Sequence, residues 1–358
     1  MQLQFETIPF TANDGFECNL LHVAAPSPVR GPVLLVHGAG VSAGIFNPPH
    51  PQNLIHTLIG EGYDVWLENW RGSIVFEPNE WNLDQVAIND HPAAVRKVIE
   101  LTGAKTIKAI IHCQGSTSFM ISAALGLLPE VDLIISNAVS LHPVVSRFSR
   151  FKLKVFLPLV SLWFRYLNPQ WGIHAPTAGS KLLRAFVWLT HWEKDTMVGK
   201  FVSFTYGTGW PALWRLENLD NTTLQWIQQE FAEVPISFFR HIRMCIGRGE
   251  LVSVDGQTEY LRDFRSSASF TLLAGEQNQC FLPWSQQNTF AFLEAREPGK
   301  HRLHRIKAYS HLDLFWGKDA HKDVFPLILN ALNPDNHGNT EKNQTIRREK
   351  DGSGLKTL

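Results

Sequence analysis

The chain carries no excess charge of either sign: Lys and Arg together number 33, and Asp and Glu together number 33. No global field would draw it to a polyanion, so nucleic acid is not an expected partner and net charge alone would not recruit an anionic membrane. No stretch of about 18 consecutive apolar residues is present, which excludes a spanning helix and stable membrane insertion. The start, Met1-Gln2-Leu3-Gln4-Phe5-Glu6, has neither the basic nor the apolar region of a signal peptide, and a cytoplasmic protein is expected. Cysteine is scarce and widely spaced (Cys18, Cys113, Cys245, Cys280), with no C-x-x-C pair, so zinc, a redox dithiol and a disulfide framework are all disfavoured. No Walker-type loop occurs, nor a G-x-G-x-x-G after a strand, so neither a metal nor a nucleotide cofactor is expected. Internal repeats are absent, and nothing in the chain speaks to oligomeric state.

What is there fits one large α/β unit. At 358 residues with 44% hydrophobic content, the chain can fill a sizeable core. Phe5 to Val23 reads as an antiparallel hairpin turning at Asn13-Asp14-Gly15. Pro32 to Val36 is a short apolar run that ends in His37-Gly38-Ala39-Gly40, the pattern of a buried strand feeding a glycine-rich loop. Then come a helix over Leu54 to Glu61, a strand over Tyr63 to Leu67, a helix over Asp90 to Thr102, a strand over Thr106 to Cys113, a helix over Ser116 to Leu128 and a strand over Val131 to Ser136. Such alternation predicts right-handed βαβ units and a mostly parallel sheet.

From about residue 143 to residue 266 the alternation stops and aromatics become dense, which suggests a mainly helical cap inserted between two parts of the core, 1–142 and 267–333. Within it, Phe151 to Leu167 could be a membrane-surface helix, but Pro158 interrupts it and it is too short to span a bilayer; a cap helix facing the active site is the first choice. Strand-helix alternation resumes at Ser269 to Gly275, with a helix over Ser285 to Glu294, a strand near His304 to Ile306 and a closing helix over Lys322 to Leu332. Residues 334–358 are polar and are expected to be a disordered tail.

The chemistry-bearing stretch is Ile110-Ile111-His112-Cys113-Gln114-Gly115-Ser116. It has the strand-turn-helix form of a nucleophile elbow, with cysteine in place of serine and a small residue on one side only; no G-x-S-x-G occurs anywhere. A free cysteine is also a common core residue. The other parts of a hydrolase site nonetheless follow in the expected chain order. Ala39 and Gln114 can offer backbone N–H groups to an oxyanion, with His37, Gly38, Gly40 and His112 around the substrate, although the glycines on their own also suit a plain turn. His311, in the loop before the last helix, is where a general base belongs, though a loop histidine can also cap a helix, here with Asp313. The orienting residue should lie in the segment from Gly275 to Pro283, where an aspartate is expected; Asn278 stands there instead, and Glu276 is the one acid in that loop. A thiol has an unperturbed pKa of about 8.5 and can be activated beside an imidazole, so its third residue needs mainly to orient the ring. Cys-His-Asn is a workable triad.

By these residues the chain resembles the α/β-hydrolase superfamily. Gly62 to Gly72, Asp90-His91-Pro92-Ala93-Ala94-Val95 and Thr102-Gly103 look like the acid lipases. His112 to Thr117, Phe204 to Gly207, Asn278 to Pro283 and His311-Leu312-Asp313 before Phe315-Trp316-Gly317 resemble the hydrolase-like domain at the C-terminal end of some bacterial cholesterol-oxidase-type (GMC) oxidoreductases. The resemblance implies an enzyme that cleaves esters or thioesters of lipid-like substrates without a cofactor. The aromatic cap independently suggests an apolar small-molecule or acyl substrate, with plain core packing accounting for most of those rings. Two alternatives stay open: a catalytically silent protein that binds a sterol or fatty acyl chain, and an acyltransferase or lactonase using the same cysteine.

Overall fold

The computed structural model describes residues 3–23, 28–192, 194, 196–208 and 210–333. The expected tail, 334–358, lies outside the described residues.

The N-terminal hairpin forms as β1 (Glu6–Thr11) and β2 (Glu17–Val23), antiparallel, with Phe10 opposite Cys18. Six further strands complete one sheet: β3 (Pro32–Val36), β4 (Asp64–Asn69), β5 (Ile107–His112), β6 (Val131–Asn137), β7 (Ser269–Gly275) and β8 (Arg302–Ile306). The order is β1-β2-β4-β3-β5-β6-β7-β8; β2 meets β4 antiparallel, and every later neighbour is parallel. Every residue of β3 and β4 is buried, as strands covered by helices on both faces must be. This is the mostly parallel sheet expected from the alternation, in the α/β-hydrolase fold that the resemblance implied.

Around the sheet lie α1 (Leu54–Gly60), α2 (His91–Thr102) and α3 (Gln114–Ala124). Asn53 starts α1 by accepting the His56 N–H at 3.0 Å, which satisfies one of the donors a helix leaves free at its beginning. Gly103, at φ 66, ends α2.

Between β6 and β7 the chain is mainly helical: α4 (Arg147–Val160), α5 (Ala178–Thr190), α6 (Met197–Tyr206) and α7 (Ile236–Arg248). Among the described residues its β-structure is a two-residue antiparallel pair, Tyr166–Leu167 with Val234–Pro235, and an isolated antiparallel bridge between Val252 and Glu259. After β7 come α8 (Trp284–Arg296) and α9 (Phe325–Leu332).

Two sequence expectations need correcting. The closing helix is broken: a short turn over Ala320–Asp323 stops, Val324 departs from helical φ at −113°, and α9 starts one residue before Pro326. Proline has no N–H to give and disfavours helical backbone before it, so the ring fits the first turn of a new helix better than the interior of a long one. Pro158 does the reverse: it sits inside α4 without ending it. Only part of that helix faces the interior; Lys152 and Leu153 reach a cavity at Cys113, while Phe148, Phe151, Val155 and Leu159 point outward.

Candidate active site

Four loops at the C-terminal ends of parallel strands meet at one point, the place where open α/β sheets bind ligands. They follow β3, β5, β7 and β8, and they carry Ala39, Cys113, Asn278 and His311 respectively.

Cys113 sits between β5 and α3 with φ 56° and ψ −122°. A side chain held there costs about 1–3 kcal/mol, and small neighbours make it possible. A Cβ on Gly115 would fall 2.2 Å from the His37 carbonyl oxygen, and one on Gly38 would fall 2.9 Å from the Cys113 Cβ. The oxyanion loop and the elbow are therefore packed backbone to backbone. Neither the Ala39 nor the Gln114 N–H is spent on a backbone carbonyl among the described residues, and both residues line the cavity at Cys113. Tyr206 reaches across from α6 and donates to the Ala39 carbonyl at 3.2 Å, pinning this loop from the other side.

The thiol is held well below its ordinary pKa. Hydrogen bonding from the Cys280 thiol is the main cause; burial opposes it, and the nearby His311 ring and the Gln114 N–H add to it. The Cys280 thiol is pushed up in turn, by burial first and then by its bond to Cys113. Of the two thiols, Cys113 is the one pulled down and Cys280 the one pushed up.

Asn278 bonds His311 Nδ1 at 3.1 Å. The orientation of its amide follows from its other partners: Oδ1 accepts the backbone N–H of Cys280 at 2.9 Å and of Phe281 at 3.2 Å. The NH₂ group therefore faces the ring and donates to Nδ1, so the neutral imidazole carries its proton on Nε2. That nitrogen has no partner of hydrogen-bonding geometry, and ring nitrogens of His311 and His112 lie within 4.8 Å of each other and of Cys113 Sγ. Glu276 is elsewhere, in an ion pair with Arg305 at 3.0 Å. Asn278, not Glu276, is the residue at the His311 ring. Asp313 does what a cap would do, accepting the Ser310 N–H at 2.7 Å and so tightening the turn around His311.

One expected substrate contact, His37, turns away from the cavity at Cys113. His37 is fully buried, donates Nδ1–H to the Gly38 carbonyl at 2.7 Å and stacks on Trp70; burial pushes its pKa down to about 3, so it stays neutral. His112 lines a small space together with Cys113 and His311, with Nδ1 accepting from Asn137 at 3.0 Å, and burial holds it neutral too. Gly40 stands against Tyr206, not a ligand.

The acid-lipase-like segments form a buried polar web beneath the site. Glu68 and His91 pair at 2.9 Å with both side chains inaccessible, His91 goes on to Ser118 in α3 at 2.7 Å, and Arg71 grips Asp90 at 2.6 Å. Removing one partner of such a buried pair strands the other charge, so these residues tie β4 and α2 to the helix behind the elbow.

The cavity at Cys113 holds about 60 Å³ and is walled by Phe238, Phe239, Ile242 and Phe281. Lys152 lines it too, and the same lysine lines a neighbouring apolar cavity of about 470 Å³ under the helical segment. Its ammonium donates to the carbonyls of Phe204 and Gly207. Sequence reasoning missed Cys280, Tyr206 and Lys152 as parts of the site. No spacing in the chain announces them; only the fold brings Cys280 to Cys113.

A nucleophile elbow on a mostly parallel sheet, with an imidazole presented after the last strand, defines a hydrolase architecture. The chain belongs to the α/β hydrolase fold family, whose profile matches residues 31–318. It is similar to a probable lipase of Schizosaccharomyces pombe, 23% identical over 78% of this chain and 65% of that protein. It is also similar to lipase member K of Homo sapiens, 32% identical over 40% of each. The match spans less than two thirds of either relative. Among solved structures it is similar to an esterase of Pyrococcus furiosus, at a TM-score of 0.52 and 11% identity over 93% of this chain and 91% of that one. That likeness is one of fold.

Proposed function

We propose that the protein is an acyl hydrolase acting on ester or thioester bonds of an apolar, lipid-like substrate through an acyl-cysteine intermediate. Residues 1–142 and 267–333 form its core and 143–266 its cap. The observation that carries the reading is Cys113 in a left-handed elbow, its thiol depressed by surrounding donors, opposite a histidine held by Asn278. The lipase and sterol-esterase names among relatives support an ester substrate and add sterol esters to the candidates. Four free cysteines suit a reducing compartment, in line with a cytoplasmic location.

In this mechanism the Cys113 thiolate attacks the acyl carbonyl, and the Ala39 and Gln114 N–H groups hold the oxyanion. Collapse expels the leaving group and leaves the acyl group on sulfur. A thiolate or phenolate leaves unaided, whereas an alkoxide needs a proton that a neutral Nε2–H imidazole gives up reluctantly. Resting His311 thus favours thioesters and activated esters in the first step. For the second step, Nε2 must present a lone pair to water. That requires the proton on Nδ1 and the Asn278 amide turned so that Oδ1 accepts it, at the loss of two backbone hydrogen bonds. Deacylation is then the slow step and acyl-Cys113 accumulates; a thiol, amine or alcohol that competes with water would make the same site an acyltransferase.

Intact-mass measurement after exposure to activated acyl esters and acyl thioesters tests this. The expected result is one acyl adduct on the wild-type chain and none on Cys113→Ala. Full turnover by Cys113→Ala would overturn the assignment. A second reading, a silent binder of sterols or acyl chains, draws on the contrast between the 470 Å³ apolar cavity and the 60 Å³ space at Cys113; it predicts ligand binding with no adduct.

A further inference from the structure

The net charge of zero conceals a strong local asymmetry. From residue 133 to residue 192 there is no Asp or Glu, yet Arg147, Arg150, Lys152, Lys154, Arg165, Lys181 and Arg184 all fall in that stretch. Apart from the half-buried Lys152, these cations are exposed, and among the described residues none of those six forms an ion pair.

The same stretch carries the apolar surface that the core does not cover. On α4 the outward residues Phe148, Phe151, Val155 and Leu159 recur at helical spacing and make one stripe; Arg147, Arg150 and Lys154 make a second stripe beside it. Leu182, Phe186 and Leu189 do the same on α5, and Lys181 and Arg184 are exposed on the same helix. Phe156 and Phe186 touch at 6.0 Å between ring centroids, so the two helices lie side by side. An open groove of about 570 Å³ runs between them past Leu159, Trp163 and Leu182. Trp163 is 79% exposed and Trp192 78%, with Trp188 and Trp210 also outside. An apolar patch of this kind on a soluble face marks an interaction site.

We propose that this face is a docking surface for an anionic phospholipid bilayer, with α4 and α5 lying in the interfacial plane. Rings and leucines enter the boundary between headgroups and acyl chains, tryptophan is favoured at that depth, and the flanking arginines and lysines meet the phosphates and carboxylates of the lipids. A second copy of the chain fits poorly, since it would bring the same six unpaired cations against these. No helix among the described residues is long and apolar enough to cross a membrane, so the attachment is peripheral. The 470 Å³ cavity is lined by Phe148, Phe186, Trp192 and Trp210 from this same face and reaches Lys152 at the wall of the Cys113 cavity. Docking therefore sets the apolar entrance on the lipid phase; that last point rests on the acyl-hydrolase reading, whereas the docking does not.

Flotation with phosphatidylcholine vesicles and with vesicles in which roughly a third of the lipid is phosphatidylserine tests the proposal in the full chain, carrying Cys113→Ala so that no turnover intervenes. Binding to the anionic vesicles is expected to exceed binding to neutral ones at least tenfold and to fall steeply as salt rises, because the contacts at the rim are screened. The triple variant R150E/K154E/R184E should lose at least tenfold in anionic-vesicle binding while its melting temperature, and its hydrolysis of a soluble short-chain ester on the Cys113 background, stay unchanged. As a measurement needing no variant, brominated lipids in anionic vesicles should quench the exposed tryptophans. Equal binding to both vesicle types, unaltered binding of the triple variant, or a stable solution dimer that shields these tryptophans would overturn it. If acyl-Cys113 never forms but vesicles still bind, docking stands and the hydrolase reading falls; the converse result separates them the other way.

Discussion

Helices α3 and α4 are of similar length and have opposite surroundings. All eleven residues of α3 are buried, polar ones included, whereas only Ser149 and Leu157 are buried among the fourteen of α4. In α3 the small residues Gly115, Ser116, Ser118 and Ser122 let the helix sink against the sheet, and their hydroxyls close onto neighbours such as the Ala87 carbonyl, 2.6 Å from Ser122 Oγ. Burial on every side fixes the first turn of α3 and with it Cys113 and the Gln114 N–H. In α4 large aromatics stand where a solvent-facing helix would carry polar groups. One helix is embedded to hold atoms still, and the other is left uncovered to meet something apolar.

Stability should expose this contrast first. Phe119→Ala in α3 removes a fully buried ring and is expected to cost about 3–5 kcal/mol, while Phe151→Ala in α4, 50% exposed, should cost less than about 1 kcal/mol. Urea denaturation of the pair checks it, and equal losses would mean that the outer face of α4 is packed in solution. A smaller effect concerns the site alone. Asn278→Asp supplies one carboxylate oxygen to the Cys280 and Phe281 N–H groups and the other to His311 Nδ1–H, so no side-chain turn is needed before water is activated. Decay of acyl-Cys113 should quicken by about tenfold or more, equivalent to about 1.4 kcal/mol of barrier; unchanged decay in stopped-flow or mass time courses would remove the tautomer argument.

The smallest expected change is in pH dependence. The Cys113 thiol lies well below its ordinary range, so iodoacetamide should label it at pH values where a free thiol reacts poorly. Cys280→Ala removes the leading cause of that shift, letting the pKa rise, and the labelling profile should move to higher pH with the largest loss at its acidic end. A profile that stayed in place would show that His311 and the Gln114 N–H suffice.

The alternation of strands and helices was legible, and so were the strand-end positions of Cys113, Asn278 and His311, because each depends on local periodicity or on chain order around a strand end. Boundaries moved by a few residues: β4 runs to Asn69 rather than Leu67, and α3 starts at Gln114 rather than Ser116, since the elbow is itself the helix start. His37 was misplaced for a different reason. A histidine beside a glycine-rich loop looks the same in sequence whether its ring turns into the cavity or into the core, and here Trp70 holds the ring inward. The role of Glu276 was open on paper and closed by Arg305, which arrives from β8.

The sequence by itself determined the class of fold and the thiol at the elbow, since hydrophobic period and residue identity are carried by the chain alone. The tertiary structure decided which groups surround that thiol. Cys280 is 167 positions from Cys113, and the depression of the thiol, the tautomer of His311 and the gathering of basic and aromatic residues into one face arise from distances of a few ångströms. Hydrogen bonds and screened charges act over that range, and only folding brings such separations about.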